Sequence, residues 1–248
     1  MNIHALKTER ITPRSTTLTS LLDRVLVALP ERSILAITSK IVALAEGRVI
    51  RQDHVLKKKV IVAEAEYYLP ETKSQYGVPL TIVDHTFIAR AGLDTSNTNG
   101  HYSLLPKNSY VTAKKIRQYL VKRFGRKEIG VIIVDSHSLP LRRGVTGVAI
   151  GWSGFKGLKE YKDVPDIFNR SFTTHANHVD ALATAASFVM GDGNEQTPLA
   201  LITDIPNIEF KASSPTLQEL AYFKPKLKDD LFAPLLNLKL LKKGRCSH

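Results

Sequence analysis

The stretch that decides the fold is GVIIVDSHSLPLRRGVTGVAIG, residues 130–151. It begins with four consecutive β-branched residues, 131–134. Such a run is too short for a helix and too apolar for a strand that faces solvent, so we predict a buried strand. The strand delivers a carboxylate and a hydroxyl, Asp135 and Ser136, into a polar loop that contains proline and glycine.

Two arginines, Arg142 and Arg143, follow this carboxylate within one short loop. Anionic and cationic groups at such close spacing are typical of sites that bind metal ions and phosphate. The alternative is that Asp135 caps a turn and that both arginines are solvated. The stretch alone leaves these two interpretations open.

The composition indicates an ordinary intracellular protein. The chain has 248 residues, 43% of them apolar, which is enough for one large domain or two small ones with a proper core. Its one cysteine, Cys246, excludes a disulfide framework and a cysteine-based metal site. No apolar run approaches the roughly 18 residues of a membrane span, and the N-terminus lacks the apolar core of a signal peptide. We therefore expect a soluble, cytoplasmic protein without membrane contact.

The formal charge of +12 indicates a surface that attracts polyanions such as nucleotides or nucleic acid. The basic residues are concentrated in two segments, 114–127 and 224–245, and such runs are most often solvated faces. Apolar residues at helical spacing in 111–124 predict an amphipathic helix that ends at Gly125. Because no RNA-binding motif occurs along the chain, a nucleic-acid partner is not favoured.

Apolar periodicity predicts two further helices and a junction between a strand and a helix. Residues 18–29 repeat leucine and valine at helical spacing, and an alanine-rich helix is expected at about 176–190. A β-branched run leads into Ser39 and Lys40 and then into a short apolar helix. The N-terminus of such a helix offers free N–H groups and a positive dipole to a phosphate, although an ordinary surface Ser-Lys pair is the alternative.

Other polar residues are weaker candidates. Asp94 and Asn97 lie in a turn-rich loop that suits a hard cation or a nucleotide, but also suits any loop. His175 and His178 have a spacing found in zinc sites, yet no third ligand of matching pattern follows. We therefore expect them to lie on a helix surface, or to contact ligand-binding side chains without binding the ligand themselves. A hydrolase triad at Asp135 is not favoured because a G-x-S-x-G elbow is absent.

Several motifs occur together in one order: TSKIVALAEGRV, ARAGLDTSN, VIIVDSHSLPLRRGVTGVAIGWSG, NHVDALATAASFVMG and GDGNEQTP. By these motifs and their approximate spacing, the chain resembles the coenzyme F420-0:γ-glutamyl ligase family over roughly residues 34–205. Within the family it looks closest to the branch of folate-metabolism γ-glutamate ligases, because of SKIVALAEGR, DALATAA and EQTP.

The resemblance implies an α+β, mixed-sheet fold of two interleaved subdomains that pairs into a homodimer. Residues 1–248 would form a single ligase domain, with 206–248 as a basic C-terminal extension packed on it. The implied activity is that of a ligase dependent on a nucleotide and a divalent metal. GTP or ATP would phosphorylate a terminal carboxylate of the acceptor, and the amine of L-glutamate would displace the phosphate. Such chemistry needs cations around two reacting anions.

The resemblance also implies roles for individual residues. Mg²⁺ or Mn²⁺, expected at two sites, would be bound by Asp94, Asp135, Ser136 and Asp192. The nucleotide would be bound by Ser39, Lys40, Asn97, Gly191, Gly193, Asn194, Glu195 and Thr197. The catalytic residues would be Asp135, Arg142 and Arg143.

The chain departs from the family pattern at several positions. Leu44 replaces a lysine of the KIVSKAEG string, and DSHSLPLR lacks the first arginine of D-T-x-G-R-P-x-R, so that Arg142 and Arg143 must replace it. Fewer cations near the acceptor favour a folate-type compound over F420-0, which carries an additional phosphodiester anion. The alternatives are F420-0 itself as the acceptor, or a non-catalytic basic protein that binds nucleotides or RNA.

Overall fold

The stretch 130–151 contributes two neighbouring strands to a five-stranded sheet. The computed structural model describes residues 1–162, 164–236 and 238–245, so Cys246 lies outside the described residues. The strands are β1 (Asn2–Leu6), β2 (Ser33–Thr38), β3 (Val49–Arg51), β4 (Tyr67–Leu69), β5 (Leu80–Val83), β6 (Thr86–Ala89), β7 (His101–Ser103), β8 (Ile129–His137), β9 (Thr146–Ser153), β10 (Leu158–Glu160), β11 (His175–Asn177), β12 (Leu199–Thr203) and β13 (Lys242–Lys243).

The helices lie close to the predicted positions. At the first helix, Thr17 accepts a hydrogen bond from the Ser20 N–H at 3.1 Å, but the helix ends at Val25, earlier than predicted, because the backbone is extended from Leu26 onward. Within the described residues, no helix combines the length and the apolar character needed to traverse a lipid bilayer. The helices are α1 (Leu18–Val25), α2 (Ser39–Glu46), α3 (Lys57–Glu64), α4 (Ser109–Phe124), α5 (His178–Met190) and α6 (Leu217–Phe223).

The five-stranded sheet is mixed, as predicted. Its strand order is β1-β12-β2-β8-β9, with β2 and β8 parallel and the other neighbours antiparallel. Alternate residues of β8 point to opposite faces. Val131 and Ile133 pack with side chains of α1, α2 and α4, whereas Ile132 and Val134 pack with α5. Helices therefore cover both faces, which explains why the run 131–134 is apolar throughout.

The register of the parallel pair brings two polar segments together. Thr38 at the end of β2 pairs with Val134 of β8, so the next residue of each segment emerges at the same edge of the sheet. Ser39 begins α2 directly after β2, and Asp135 continues β8. The predicted strand-to-helix junction and the predicted carboxylate are therefore neighbours in space.

A second, four-stranded sheet has the order β13-β4-β5-β6 and packs with α3 around a smaller core that includes Val60, Ile88 and Leu93. The pairs β3–β7 and β10–β11 form two short ribbons. A 3₁₀ turn, Arg90–Gly92, follows β6 and contacts β8. The small sheet therefore lies beside the polar edge of the five-stranded sheet.

The C-terminal segment 205–245 connects the two sheets. The Phe223 ring packs edge-on against Trp152 of β9, with 4.8 Å between ring centroids. The next residue, Lys224, forms a 2.5 Å ion pair with Asp84 in the turn between β5 and β6. Further along, β13 pairs with β4. The described residues of this segment thus contact both sheets.

Candidate active site

A cavity of about 820 Å³ opens between the polar edge of the five-stranded sheet and the small sheet. Five chain segments line it, together with Leu44 and Val145: 8–12, 38–41, 88–99, 134–138 and 187–198. Every residue predicted to bind metal or nucleotide is in its lining: Ser39, Lys40, Asp94, Asn97, Asp135, Ser136, Gly191, Asp192, Gly193, Asn194, Glu195 and Thr197. Residues spread over more than 150 positions of sequence are therefore brought to one place.

The Asp135 carboxylate lies near the C-terminal end of β8, beside the C-terminal end of β2. The Ser39 hydroxyl donates to its Oδ1 at 2.5 Å. Burial raises the pKa of Asp135 to about 6, and the negative charge of Asp94 acts in the same direction, while the Ser39 hydrogen bond opposes both. The side chain is thus a carboxylate in a poorly solvated position where a cation or a proton is favoured.

Lys40 and Asp94 form an ion pair across the cavity, with 2.6 Å between Nζ and Oδ2. The backbone N–H and the hydroxyl of Ser96 both donate to the other oxygen of Asp94 at 2.8 Å. Burial alone would raise the pKa of Asp94, but the hydrogen bond and charge of Lys40 together with the Ser96 hydrogen bonds lower it. Asp94 is therefore held as a carboxylate.

The loop 190–198 forms the third side of the site. The Ser136 hydroxyl donates to Asp192 at 2.8 Å, and the Asn97 amide donates to the carbonyl of Gly193 at 2.9 Å. The Glu195 carboxylate accepts the Gly193 N–H at 2.8 Å, which folds the loop back on itself. At Gly191, φ is +77° and a Cβ would lie 2.5 Å from Glu195, so glycine is required there.

The donors around the cavity are carboxylate and hydroxyl oxygens, the ligand type that Mg²⁺ and Mn²⁺ prefer. In this arrangement each predicted metal-binding carboxylate has a protein partner: Lys40 for Asp94, Ser39 for Asp135 and Ser136 for Asp192. Across the described residues, no three acidic, histidine or cysteine side chains are grouped closely enough to hold an ion. The donor chemistry fits a hard cation, and the side chains would have to exchange partners to bind one.

The two arginines predicted to be catalytic, Arg142 and Arg143, lie in the exposed loop between β8 and β9 and do not line the cavity. Their catalytic role remains a prediction. His175 also lies outside the lining, where its ring contacts Tyr222 of α6. Arg142 and Arg143 are thus close to Asp135 in sequence but do not line the cavity.

Four titratable side chains of the lining were not among the predicted site residues: Glu9, Arg10, Arg90 and His137. Burial lowers the pKa of His137, against the opposing charge of Asp180. Arg90 precedes Asp94 in the motif ARAGLDTSN, so membership of that motif was an available signal. Arg10 has no comparable signal because it lies in a short segment between β1 and α1.

The comparisons with known proteins agree with the geometry. Residues 5–204 match the family model described as F420-0:Gamma-glutamyl ligase. A protein of Methanococcus maripaludis strain S2 named coenzyme F420:L-glutamate ligase is 43% identical over 129 residues, which cover 51% of this chain and 52% of that protein. The chain thus spans about half the length of this relative in the alignment.

Two other relatives with the same name are aligned over more of their length. The protein of Methanococcus maripaludis strain C7 is 36% identical over 194 residues, covering 72% of this chain and 78% of that protein. The protein of Methanocaldococcus jannaschii is 35% identical over 185 residues, covering 68% and 74%. The segment 205–245 lies beyond the residues that match the family model.

Proposed function

This chain belongs to the F420-0:gamma-glutamyl ligase family and is an amide-forming ligase, and we propose that it joins L-glutamate to an F420-type acceptor. The observation that carries the proposal is the cavity, which gathers the predicted phosphate-handling residues at the edge of one sheet. A folate-type acceptor, the sequence-based preference, lacks support because the relatives are named for coenzyme F420. The acceptor first considered as the alternative is therefore the better supported one.

The proposed reaction uses GTP or ATP and proceeds in two steps. A carboxylate oxygen of the acceptor attacks the terminal phosphorus of the nucleotide, and the nucleoside diphosphate leaves. The amine of L-glutamate then attacks the carbon of the acyl phosphate, losing a proton, and phosphate leaves as the amide forms. Both steps bring anions together, so a site for them needs positive charge and hydrogen-bond donors.

The residues of the cavity supply these groups. Lys40 and the N-terminus of α2 line the cavity and would face the phosphates, and the loop 191–197 would offer backbone N–H groups to the nucleotide. Asp94, Asp135, Asp192 and Ser136 would hold Mg²⁺ or Mn²⁺, which would neutralise phosphate charge when bound. Asp135 would remain deprotonated through that contact, since a nearby cation lowers a carboxyl pKa.

Homodimer formation is also part of the proposal. Large apolar side chains are exposed on the C-terminal turn of α5 and on the loop between β8 and β9, including Phe188 and Leu141, which are 88% and 96% exposed. Exposed apolar groups of this kind are found at protein interfaces. Light scattering at micromolar concentration tests it: we expect about twice the chain mass of 27.6 kDa, and a mass near 27.6 kDa would contradict a dimer.

The activity itself is tested by product analysis. The protein is incubated with F420-0, L-glutamate, GTP or ATP, and Mg²⁺ or Mn²⁺. The masses of the products are then measured by mass spectrometry. We expect a product heavier by one glutamyl unit, absent when nucleotide, metal or glutamate is omitted. Nucleotide binding without any such product would support the alternative of a non-catalytic binding protein.

A further inference from the structure

Arg90 is a free cation on the wall that the small sheet contributes to the cavity. It follows β6 directly, lines the cavity and is exposed. Among the described residues, no carboxylate lies within ion-pair distance of its guanidinium, whereas Lys40 on the opposite wall is neutralised by Asp94. An unpaired guanidinium in a cavity is available to a ligand.

The backbone that carries Arg90 is unusual. Arg90, Ala91 and Gly92 have φ values of +57°, +55° and +68°, so three successive residues are left-handed and two of them have a Cβ. This conformation is unfavourable for a residue with a Cβ, because the Cβ approaches the following carbonyl oxygen. Strained conformations of this kind persist where surrounding contacts fix them, and they are concentrated at functional sites.

A buried hydroxyl holds this left-handed turn in place. Thr81 of β5 accepts the Ala91 N–H at 2.8 Å and donates to the Ile88 carbonyl at 2.5 Å. The Arg90 N–H donates to the Pro79 carbonyl at 2.9 Å. The direction in which the Arg90 side chain leaves the wall is therefore set by the small sheet rather than by a mobile loop.

The charge of Arg90 is added to that of a neighbouring lysine. Lys57, the first residue of α3, has a lowered pKa, mainly through burial and also through the positive charge of Arg90. The charge of Asp94 opposes this shift, and Lys57 lies outside the cavity lining, so Arg90 is the cation of the two that a ligand in the cavity can contact. A guanidinium in such surroundings binds a carboxylate through two parallel hydrogen bonds, a geometry that lysine cannot reproduce.

We propose that Arg90 is a specificity-determining residue that binds a carboxylate of one of the two acid substrates, the acceptor or L-glutamate. This inference rests on the proposed function, in which both joined molecules are carboxylic acids. The nucleotide is proposed to lie against Lys40 and the loop 191–197, which belong to the other wall. We therefore assign Arg90 to a substrate carboxylate, and the GTP measurements in the test below decide between this carboxylate and the phosphates.

The test compares Arg90→Gln and Arg90→Lys with Arg51→Gln, a matched loss of one exposed arginine outside the lining. KM is measured separately for F420-0, L-glutamate and GTP. In Arg90→Gln, we expect the KM of one acid substrate to rise about tenfold or more, with the KM of GTP within about threefold. Arg90→Lys should recover only part of the loss, and Arg51→Gln should leave the KM of both acids within about threefold. The substrate whose KM rises identifies the source of the carboxylate.

Equilibrium dialysis with F420-0, L-glutamate and GTP gives a readout that does not need turnover. If wild-type protein binds an acid substrate but forms no glutamyl product, the proposed function fails while the role of Arg90 is still decided by the binding of the variants. Unchanged binding and KM of both acids in Arg90→Gln would overturn the inference. An equal loss in Arg51→Gln, or a larger loss for GTP, would overturn it as well.

Discussion

The two walls of the cavity are built in different ways. On the wall from the five-stranded sheet, Ser39 follows β2 and Asp135 lies in the last part of β8, and these two parallel strands are buried on both faces. On the wall from the small sheet, Arg90 lies on a left-handed turn held by one threonine hydroxyl. The first wall owes its geometry to strand register, which many contacts fix. The second owes it to a few hydrogen bonds around a strained backbone, so single substitutions should affect it more selectively.

The largest expected effect is on the first wall. Asp135→Asn keeps the shape and the contact with Ser39 but removes a buried negative charge. Loss of one preorganised electrostatic contact typically costs on the order of 10²–10³ in kcat, and we expect a fall of that size in glutamyl transfer. Asp204→Asn, an exposed aspartate outside the cavity, is the control and should retain activity. Near-normal turnover of Asp135→Asn would remove Asp135 from the proposed metal site.

A smaller effect is expected where the two walls meet. Lys40→Met removes the cation that pairs with Asp94, and we expect kcat/KM for GTP to fall about 10- to 100-fold, since each 1.36 kcal/mol is tenfold. The matched control is Lys58→Met, which breaks an exposed ion pair with Glu71 away from the cavity. If both variants lose the same fraction of kcat/KM, general surface charge rather than Lys40 assists nucleotide binding.

The second wall is tested through its hydroxyl. Thr81→Val leaves the Ala91 N–H buried without a partner, which costs about 1–3 kcal/mol, so thermal unfolding should occur several degrees lower. The KM of the acid substrate bound by Arg90 should rise as well, because the turn that carries the guanidinium loses its support. Thr81→Ser keeps the hydroxyl and should restore both properties. A KM unchanged in Thr81→Val would show that the turn holds its position without Thr81.

The smallest effect concerns α6, which leads to the residues that connect the two sheets. Glu219 accepts from Lys211 and from the Thr216 N–H, both at 2.6 Å; burial alone would raise its pKa, but these contacts lower it. A lowered folded pKa stabilises the protein above the unfolded value and loses this contribution as pH falls. Glu219→Gln should therefore lower Tm by about 1–2 °C near pH 7, and the difference should shrink as the pH falls from the usual carboxyl pKa through the lowered pKa of Glu219.

Two comparisons check this last expectation. Glu209→Gln breaks an exposed ion pair with Lys156 and should change Tm by less than about 1 °C at every pH. Turnover should stay close to wild type in Glu219→Gln, because α6 lies outside the cavity lining. If the Tm difference between wild type and Glu219→Gln grew as the pH fell, the pKa of Glu219 would have to be raised in the folded protein, and this expectation would be wrong.

Sequence reasoning located the first wall well and the second poorly. The run 131–134 predicts a doubly buried strand, and the junction at Ser39 follows from apolar periodicity. The small sheet is made of strands as short as Tyr67–Leu69 within a polar segment, where periodicity has little to act on. Left-handed backbone is usually signalled by glycine. In this turn Gly92 gives that signal, but nothing in the residue types of Arg90 and Ala91 predicts a positive φ.

The role predicted for Arg142 and Arg143 shows a related limit. Both follow Asp135 closely in sequence, and closeness in sequence was the reason to place them in the site. In the structure the loop after β8 points them to solvent, while Arg90, from a distant part of the chain, lines the cavity. Spacing along the chain therefore predicts neighbours within a strand or helix but not across a long loop.

The central claim is that the cavity between the two walls joins L-glutamate to an F420-type acceptor. The most direct measurement is a competition in one tube: equal amounts of F420-0 and tetrahydrofolate, with L-glutamate, GTP and Mg²⁺, with wild type and with Asp135→Asn, followed by mass spectrometry over time. We predict that F420-0 gains a glutamyl unit with the higher kcat/KM and that this product is nearly absent with Asp135→Asn. A glutamylated folate as the main product, or a glutamylated F420-0 formed equally well by Asp135→Asn, would contradict the account.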